Sequence, residues 1–561
     1  MDIRVEESAA LPPADGSSAE NVVEHQIKWG RLTAMMDEVD TILLRTAFST
    51  IVSESRDYAV VLLDEKARSI AQSQICVPAF TCSLPTATRS MLEVFPRETL
   101  KEGDVLITND PWLCHGHLPD FYIVMPVFHE GKIVAFIATA AHISDIGGRL
   151  DELNARDLYE EGLRIPPSKL YEGGKPNDQL IRMIEANVRF PRLVLGDVGA
   201  IIGAAKVGAE RYVELVKEYG LPAMSAAADF ILARSEAAMR AAISCIPDGD
   251  YEGFAQCDGV TSVTEIRLKI SVRDDSMFLD YTGSSPQKSD AAVNVVKNVT
   301  HAHSLLALKC SLCPDLPNNE GLFSPIKTFA PEGSILNARF PAAVRARSRT
   351  SFHTHTAIYD ALSKVTPGAV QATSGSFWSL RFLCNDDDGH PFIVHVLPNG
   401  GQGASRGLDG HSTTAFPGCS MVTPAEIIET NGPVLIKERA FRQDSGGAGQ
   451  FRGGLGQTIR VTPAGDLPVR ITIRPDRTRF PADGLLGGKP GGLGELLLDG
   501  ASIEPDPFTL MPGQDFTLNL PGGGGFGDPR ERDSDQVAQD LKLGLISPDA
   551  ARDVYGHATE Q

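Results

Sequence analysis

Residues 109–145 read NDPWLCHGHLPD (109–120), FYIVMPVF (121–128), HEG (129–131), KIVAFIATAA (132–141) and HISD (142–145), and the fold is best approached from them. Two apolar runs of strand length flank a short turn with glycine at its end, the pattern of a β-hairpin. If that turn is tight, His129 faces Lys132, and counting outward from this pair sets His142 opposite Pro119. His142 then lies one or two positions from both His117 and Asp120. Neighbouring strands run about 4.8 Å apart, so the three side chains can converge at one end of the hairpin. Two imidazoles and a carboxylate with a position left open form a ligand set used by catalytic zinc and by non-haem iron or manganese. The alternative, that these polar groups only satisfy strand ends and a loop, stays open at this point.

Working outward, residues 1–24 are acidic, broken by prolines and poor in apolar side chains, and read as a disordered leader. Apolar residues at helical spacing from Ile27 predict a helix ending near Phe48. Strands are expected at 59–63 and 105–108, and long helices at 197–219 and 222–244, the first closed by Gly220. Beyond about residue 250 the pattern alternates, and between 400 and 527 glycine becomes very frequent (DSGGAGQFRGGLG, GLLGGKPGGLG, PGGGGFGDP). Strand-length apolar pieces such as 469–473 keep interrupting it, so this is read as irregular β structure rather than linker. A helical pair closes the chain, its second member signposted by Ser547 as N-cap, Pro548 at the first helical position and Gly556 as terminator. The expected class is α+β: an N-terminal helix and hairpin site to about residue 250, a glycine-rich antiparallel β part over 251–530, and a helical tail over 531–561.

Composition narrows the function. With 52 basic and 72 acidic residues the net charge is −20, a poor match to nucleic acid or an anionic membrane. The longest mostly apolar run, 133–141, is about half of a bilayer span. The N-terminal sequence has neither signal-peptide nor basic transit character, which makes the cytoplasm the expected location. Nine cysteines at irregular spacing do not form a disulfide framework, and Cys310-x-x-Cys313 has no second pair for a zinc site.

Other motifs are weaker. His301-x-His303 and His353-x-His355 would each present two imidazoles on one face if those stretches were strands, and packing histidines are the simpler reading. Gly403-Ala404-Ser405-Arg406-Gly407 matches a nucleophile elbow in letters but runs into a turn-like Leu408-Asp409-Gly410. Gly488-Lys489 is followed by proline and lacks the upstream glycine of a phosphate loop. Asp110 and Asp145 flank the three metal candidates. They are the expected helpers, orienting a ligand imidazole or accepting a proton.

At NDPWLCHGHLPD the chain resembles the hydantoinase B/5-oxoprolinase family. The resemblance extends through LLRTAFSTIVSESRDYAVVLLD, AHISDIGG, EGLRIPPSKLY, ANVRFPRLVLGDVGA, DYTGSSPQ, PNNEG, FAPEGSILN, DSGGAGQFRGGLG and PGGGGFGDPRERD, in the expected order. It implies that His117, Asp120 and His142 bind a divalent metal, zinc first, manganese or iron as alternatives, and that Asp57 in SESRDY is a fourth ligand. It also implies a hydantoinase A-type partner that uses ATP, joined with this chain in a hetero-oligomer. The activity it implies is hydrolysis of a cyclic amide, or as second choice carboxylation of a small ketone. A non-catalytic scaffold with a lapsed site is a third reading, against which the intact His117, Asp120 and His142 weigh. The chain departs from the family pattern at Cys114-His115-Gly116, where G-G-T is common, and at ICVPAFTCSLP (75–85), where a histidine is common.

Overall fold

The structure is a computed structural model and describes residues 19–150, 153–385, 391–414 and 416–557. Most of the expected leader lies outside these residues, although helix α1 (Ala19–Thr46) already begins within it. The class is α+β, as expected, with helices set among several largely antiparallel sheets.

The sheet that carries the site has seven strands: β1 (Tyr58–Asp64), β2 (Ser69–Gln72), β3 (Val105–Thr108), β4 (Asp120–His129), β5 (Lys132–His142), β6 (Ser168–Glu172) and β7 (Lys175–Pro176). Their order is β2-β1-β5-β4-β3-β6-β7, with every neighbouring pair antiparallel. Glu130 and Gly131 both adopt positive φ, 50° and 76°, which closes β4 and β5 with a two-residue turn whose twist suits the strands. Both faces of this hairpin are covered. Phe121, Ile123 and Ile137 pack in a core shared with α1 and with α3 (Pro191–Tyr219), while Tyr122, Val124, Phe136 and Ala138 pack with α2 (Pro78–Val94). Burial on both faces explains why β5 is apolar from Ile133 to Ala141, Thr139 aside, instead of alternating.

Helix α4 (Leu221–Ser244) leads into a four-stranded sheet made by Gly249–Cys257, Thr264–Arg273, Ser276–Asp280 and Ile326–Phe329, the last two pairing in parallel. One core cluster includes residues from Trp29 to Leu397, on both sides of residue 250. Helices α5 (Lys297–Leu312) and α6 (His353–Ser363) hold the two His-x-His motifs. Neither stretch is a strand, and on a helix residues two apart do not share a face, so neither motif presents two imidazoles together.

Two further sheets form the C-terminal half and share one apolar core, and the glycine-rich segments join their strands. These bond backbone to backbone: Gly454 N donates to Gln402 O (2.8 Å), Gly523 N to Gly454 O (2.9 Å) and Gly447 N to Gly523 O (2.8 Å). Ser405 sits at an isolated bridge to Leu408 and not at a strand-to-helix corner, so no elbow forms. The tail helices Ser534–Lys542 and Pro548–Asp553 dock through Arg532, whose guanidinium pairs with Asp409 (2.7 Å) and Asp540 (2.9 Å). Ser547 caps the last helix by accepting from Ala550 N (3.1 Å). Among the described residues no helix is long and apolar enough to cross a membrane.

Candidate metal centre

The loop before β4 is tied at both ends. Buried Asn109 donates to the carbonyls of Leu118 (2.7 Å) and Leu163 (3.0 Å) and accepts from Ile165 N (2.6 Å). Gly116 has a φ of 91°, and a Cβ there would stand 2.4 Å from a methyl of Val299, so the loop can press onto α5 only with glycine at this position. The close approach turns His117 back over the strand end.

Strand pairing does the rest. Asp120 is directly opposite His142, one position from the expected pairing with Pro119. The register steps between Val127 and Phe128 because Val134 is an extra residue on β5, a bulge that sequence counting did not include. On the other side of β5, Tyr58 pairs with Ala141, and His142 N donates to Asp57 O (2.9 Å). Asp57, His142 and Asp120 therefore form one row across three adjacent strands, with His117 above its end.

Three donor atoms converge there. His117 Nε2 lies 2.7 Å from Asp120 Oδ1, His142 Nδ1 lies 3.1 Å from the same oxygen, and the two ring nitrogens are 3.2 Å apart. His117, Asp120 and His142 are all buried and make up the group among the described residues that could hold a metal ion. Proton counting sharpens this. His117 Nδ1 is 2.9 Å from the Arg345 carbonyl, which can only accept, so the proton sits on Nδ1 and Nε2 carries a lone pair. Burial, then the Arg347 charge, pushes the His117 pKa down to about 3, so the ring stays neutral at pH 7. A lone pair thus faces a carboxylate oxygen with no proton between them, an arrangement that a cation resolves. Donor atoms each about 2.1 Å from one ion stand roughly 3 Å apart, which fits the spacing here.

Asp120 is kept ionised. Burial would raise its pKa, but His117 and Arg347 outweigh that and hold it well below the usual carboxylate range. With His117 neutral, the guanidinium is the charge that counts: Arg347 Nη2 donates to Asp120 Oδ2 (2.6 Å) while Nε donates to His115 O (2.7 Å). Arg347 was missed in the sequence. The signal was there, in Arg345, Arg347 and Arg349 at alternate positions of an acidic chain, all three buried.

The triad opens onto a cavity of about 60 Å³, lined also by Asp57, His115, His303, Phe352, His395 and Arg474. Burial raises the Asp57 pKa, with the His142 side chain acting against it. Asp57 belongs to the cavity but not to the tight cluster of three donors. Asp110 and Asp145 do not line the cavity at all. Asp110 accepts from Trp112 N (3.0 Å) and shapes the loop turn. Asp145 is engaged by Arg189 through both its side chain (2.8 Å) and its backbone N–H. The group that meets the His117 ring at Nδ1 is the Arg345 carbonyl.

Comparison with known proteins places the chain in a family. The model of the hydantoinase B/oxoprolinase family matches residues 21–529. The chain belongs to this family. It is 30% identical to the beta chain of the caprolactamase of Pseudomonas jessenii, with 94% of each chain covered. It is 29% identical to the B-type component of a putative D-/L-hydantoinase from a Pseudomonas species, over 95% of this chain and 94% of that one. Against the 5-oxoprolinase PfmaA of Pestalotiopsis fici it is 28% identical, but 92% of this chain spans only 42% of that protein. Among solved structures, the ATP-dependent caprolactamase of Pseudomonas jessenii superposes with a TM-score of 0.87 at 28% identity, over 96% of each chain. A nucleotide-free acetone carboxylase gives 0.84 at 19% identity, over 95% of this chain and 79% of that one, a likeness of fold. Phe80, from 75–85, stands edge-on to His115 in the cavity wall, their ring centres 5.2 Å apart.

Proposed function

We propose that this chain is the metal-bearing catalytic subunit of an ATP-dependent cyclic amidase, and that a separate hydantoinase A-type partner uses the ATP. The observation that carries the reading is the convergence of His117 Nε2, Asp120 Oδ1 and His142 Nδ1 beside one cavity, with no proton between His117 Nε2 and Asp120 Oδ1. Asp57, next in the same row of strand ends, is the fourth ligand. A divalent ion, zinc first and manganese or iron as alternatives, would supply Lewis acidity toward an oxygen of the substrate or of water.

The chain's own residues prepare that site. The Arg345 carbonyl fixes the His117 tautomer, Arg347 keeps Asp120 ionised, and the ring walls limit the water beside the scissile bond to the few molecules that about 60 Å³ admits. Amide hydrolysis is slow because the carbonyl is a weak electrophile, which is the reason for coupling it to ATP. The glycine-rich segments here are occupied with one another's backbones, so nucleotide chemistry is assigned to the partner. Two relatives are named as one component of a larger enzyme, and a 5-oxoprolinase is more than twice as long. Both facts support that division between two chains or two halves of one. The acidic surface and the free thiols of the described cysteines suit the cytoplasm. The ketone carboxylase alternative has only the fold likeness behind it.

Co-expression with the partner tests the reading. ATP consumed and product formed are followed for each chain alone and for the mixture, with lactams, hydantoins and ketones plus bicarbonate as substrates. Lactam or hydantoin opening should require both chains, which should co-purify. His117→Ala or His142→Ala should abolish product while the partner still hydrolyses some ATP. Turnover by this chain alone at the rate of the mixture would refute the division of labour.

A further inference from the structure

We propose that His303 is a substrate-binding residue of this cavity, its Nε2–H donating to a carbonyl oxygen of the ligand, with His355 as the positioning residue that sets its tautomer. The proposal rests on reading the cavity as the active site and adds the group that holds the substrate opposite the triad.

Helical geometry separates each His-x-His pair. On α5, His301 turns to Thr328 (Nδ1 to Oγ1, 2.9 Å), while His303 points inward and lines the cavity. On α6, His353 turns to Asp476 (3.2 Å), while His355 points inward. The two inward rings meet, His303 Nδ1 lying 3.2 Å from His355 Nε2, and both are at least 97% buried.

Burial holds His303 well below the ordinary histidine value and pushes His355 down to about 3, so each ring is neutral and carries one proton. Only one proton fits between the facing nitrogens. His355 Nδ1 is buried with no hydrogen-bond partner among the described residues, and the ring packs against Tyr359 and Phe416 at 6.1 and 5.5 Å. With its proton on Nδ1, His355 would bury an N–H with no acceptor, an arrangement rarer in proteins than an unfilled lone pair. With its proton on Nε2, it donates to His303 Nδ1. His303 then carries its own proton on Nε2, which no described residue accepts.

An unpaired donor is thus presented to a space of about 60 Å³, across from three electron-pair donors. His115, whose ring centre is 5.6 Å from that of His303, and the rings of Phe80 and Phe352 complete that wall. A neutral N–H in such surroundings suits a carbonyl oxygen, and suits it better as negative charge builds there. A space of about 60 Å³ suits the carbonyl end of a ligand. Cyclic amides and small ketones share that end.

The test uses the full metal-loaded chain and acetohydroxamate, a small carbonyl-bearing metal ligand, as probe. Calorimetry should show binding weakened about tenfold in His303→Leu, the size of one lost hydrogen bond, with most of it restored in His303→Gln and metal content unchanged. Nitrogen-15 spectra of histidine-labelled protein should show both His303 and His355 as Nε2–H tautomers, and His355→Phe should disturb the His303 signals. Equal affinity in wild type and His303→Leu, or an Nδ1–H tautomer at His303, overturns the proposal. A chain that binds no metal overturns the functional reading instead. The tautomer measurement needs no metal and still decides this one.

Discussion

At the hairpin end, β1, β5 and β4 bring Asp57, His142 and Asp120 into one row, and every useful property of the region lies in its side chains. In the C-terminal half the glycine-rich segments around Gly454 and Gly523 bond to one another directly, and the useful property is the lack of side chains. Both regions are buried and tightly made. One tolerates no missing partner and the other no added atom, so they should fail differently when disturbed.

The largest effect is expected at the hairpin end. Arg347→Met leaves the Asp120 carboxylate buried without its counter-charge, which should cost about 3–5 kcal/mol in the metal-free protein, read by urea unfolding. A divalent ion should recover part of the loss, since it replaces positive charge beside the same carboxylate. A change below about 1 kcal/mol would mean that Arg347 is not what holds Asp120 ionised.

Next comes Gly523→Ala. The new Cβ would stand 2.1 Å from the Gln402 carbonyl oxygen, a backbone atom that cannot swing away, and the cost should be roughly 3 kcal/mol. Here added metal should recover nothing. Recovery by metal, or free tolerance of the methyl, would erase the contrast between the two regions.

Acid should then act on the side-chain region more than on the glycine layers. His355 is neutral when folded, its pKa depressed by burial to about 3, and its ordinary value is near 6.5. The unfolded chain therefore binds the extra proton first. Stability from this ring is complete above about pH 6.5 and falls as pH drops toward the folded value, by roughly 2 kcal/mol at pH 5. Unfolding of the metal-free chain at pH 7, 6 and 5 should show the slope, and His355→Phe should remove its share. A flat profile would contradict the buried neutral state. The smallest effect is expected at the tail, where Ser547→Ala removes a helix cap worth about 1 kcal/mol, seen as faster hydrogen exchange in residues 548–553 alone.

The same contrast governs how much could be read in advance. The hairpin, its turn and the long helices were legible because apolar spacing and a positive-φ turn leave marks within a few residues of one another. The pairing was off by one because β5 is buried on both faces, and an all-apolar strand carries no alternation to betray the bulge at Val134. Asp57 and Arg347 join the site through contacts between distant segments, which local pattern does not encode. The resemblance to the family pointed to Asp57 as a fourth ligand; β1–β5 pairing sets it beside His142 in the cavity lining, outside the cluster of three donors. His303 and His355 were visible as His-x-His pairs, but the face each presents depends on helix against strand, which the motifs themselves do not decide. Asp110 and Asp145 stand close in sequence to the triad, while in the structure Asp110 accepts from Trp112 N and Asp145 pairs with Arg189. In the glycine-rich part the composition announced close backbone contact without saying which segments meet.

Metal content tests the central claim most directly. Wild-type chain, loaded with zinc, manganese or iron and then dialysed extensively, should retain close to one ion per chain by elemental analysis. Asp120→Ala and His142→Ala, shown folded by circular dichroism, should retain little. Full retention in either variant, or no retained metal in the wild type, would contradict the assignment of His117, Asp120 and His142 as the metal-holding triad.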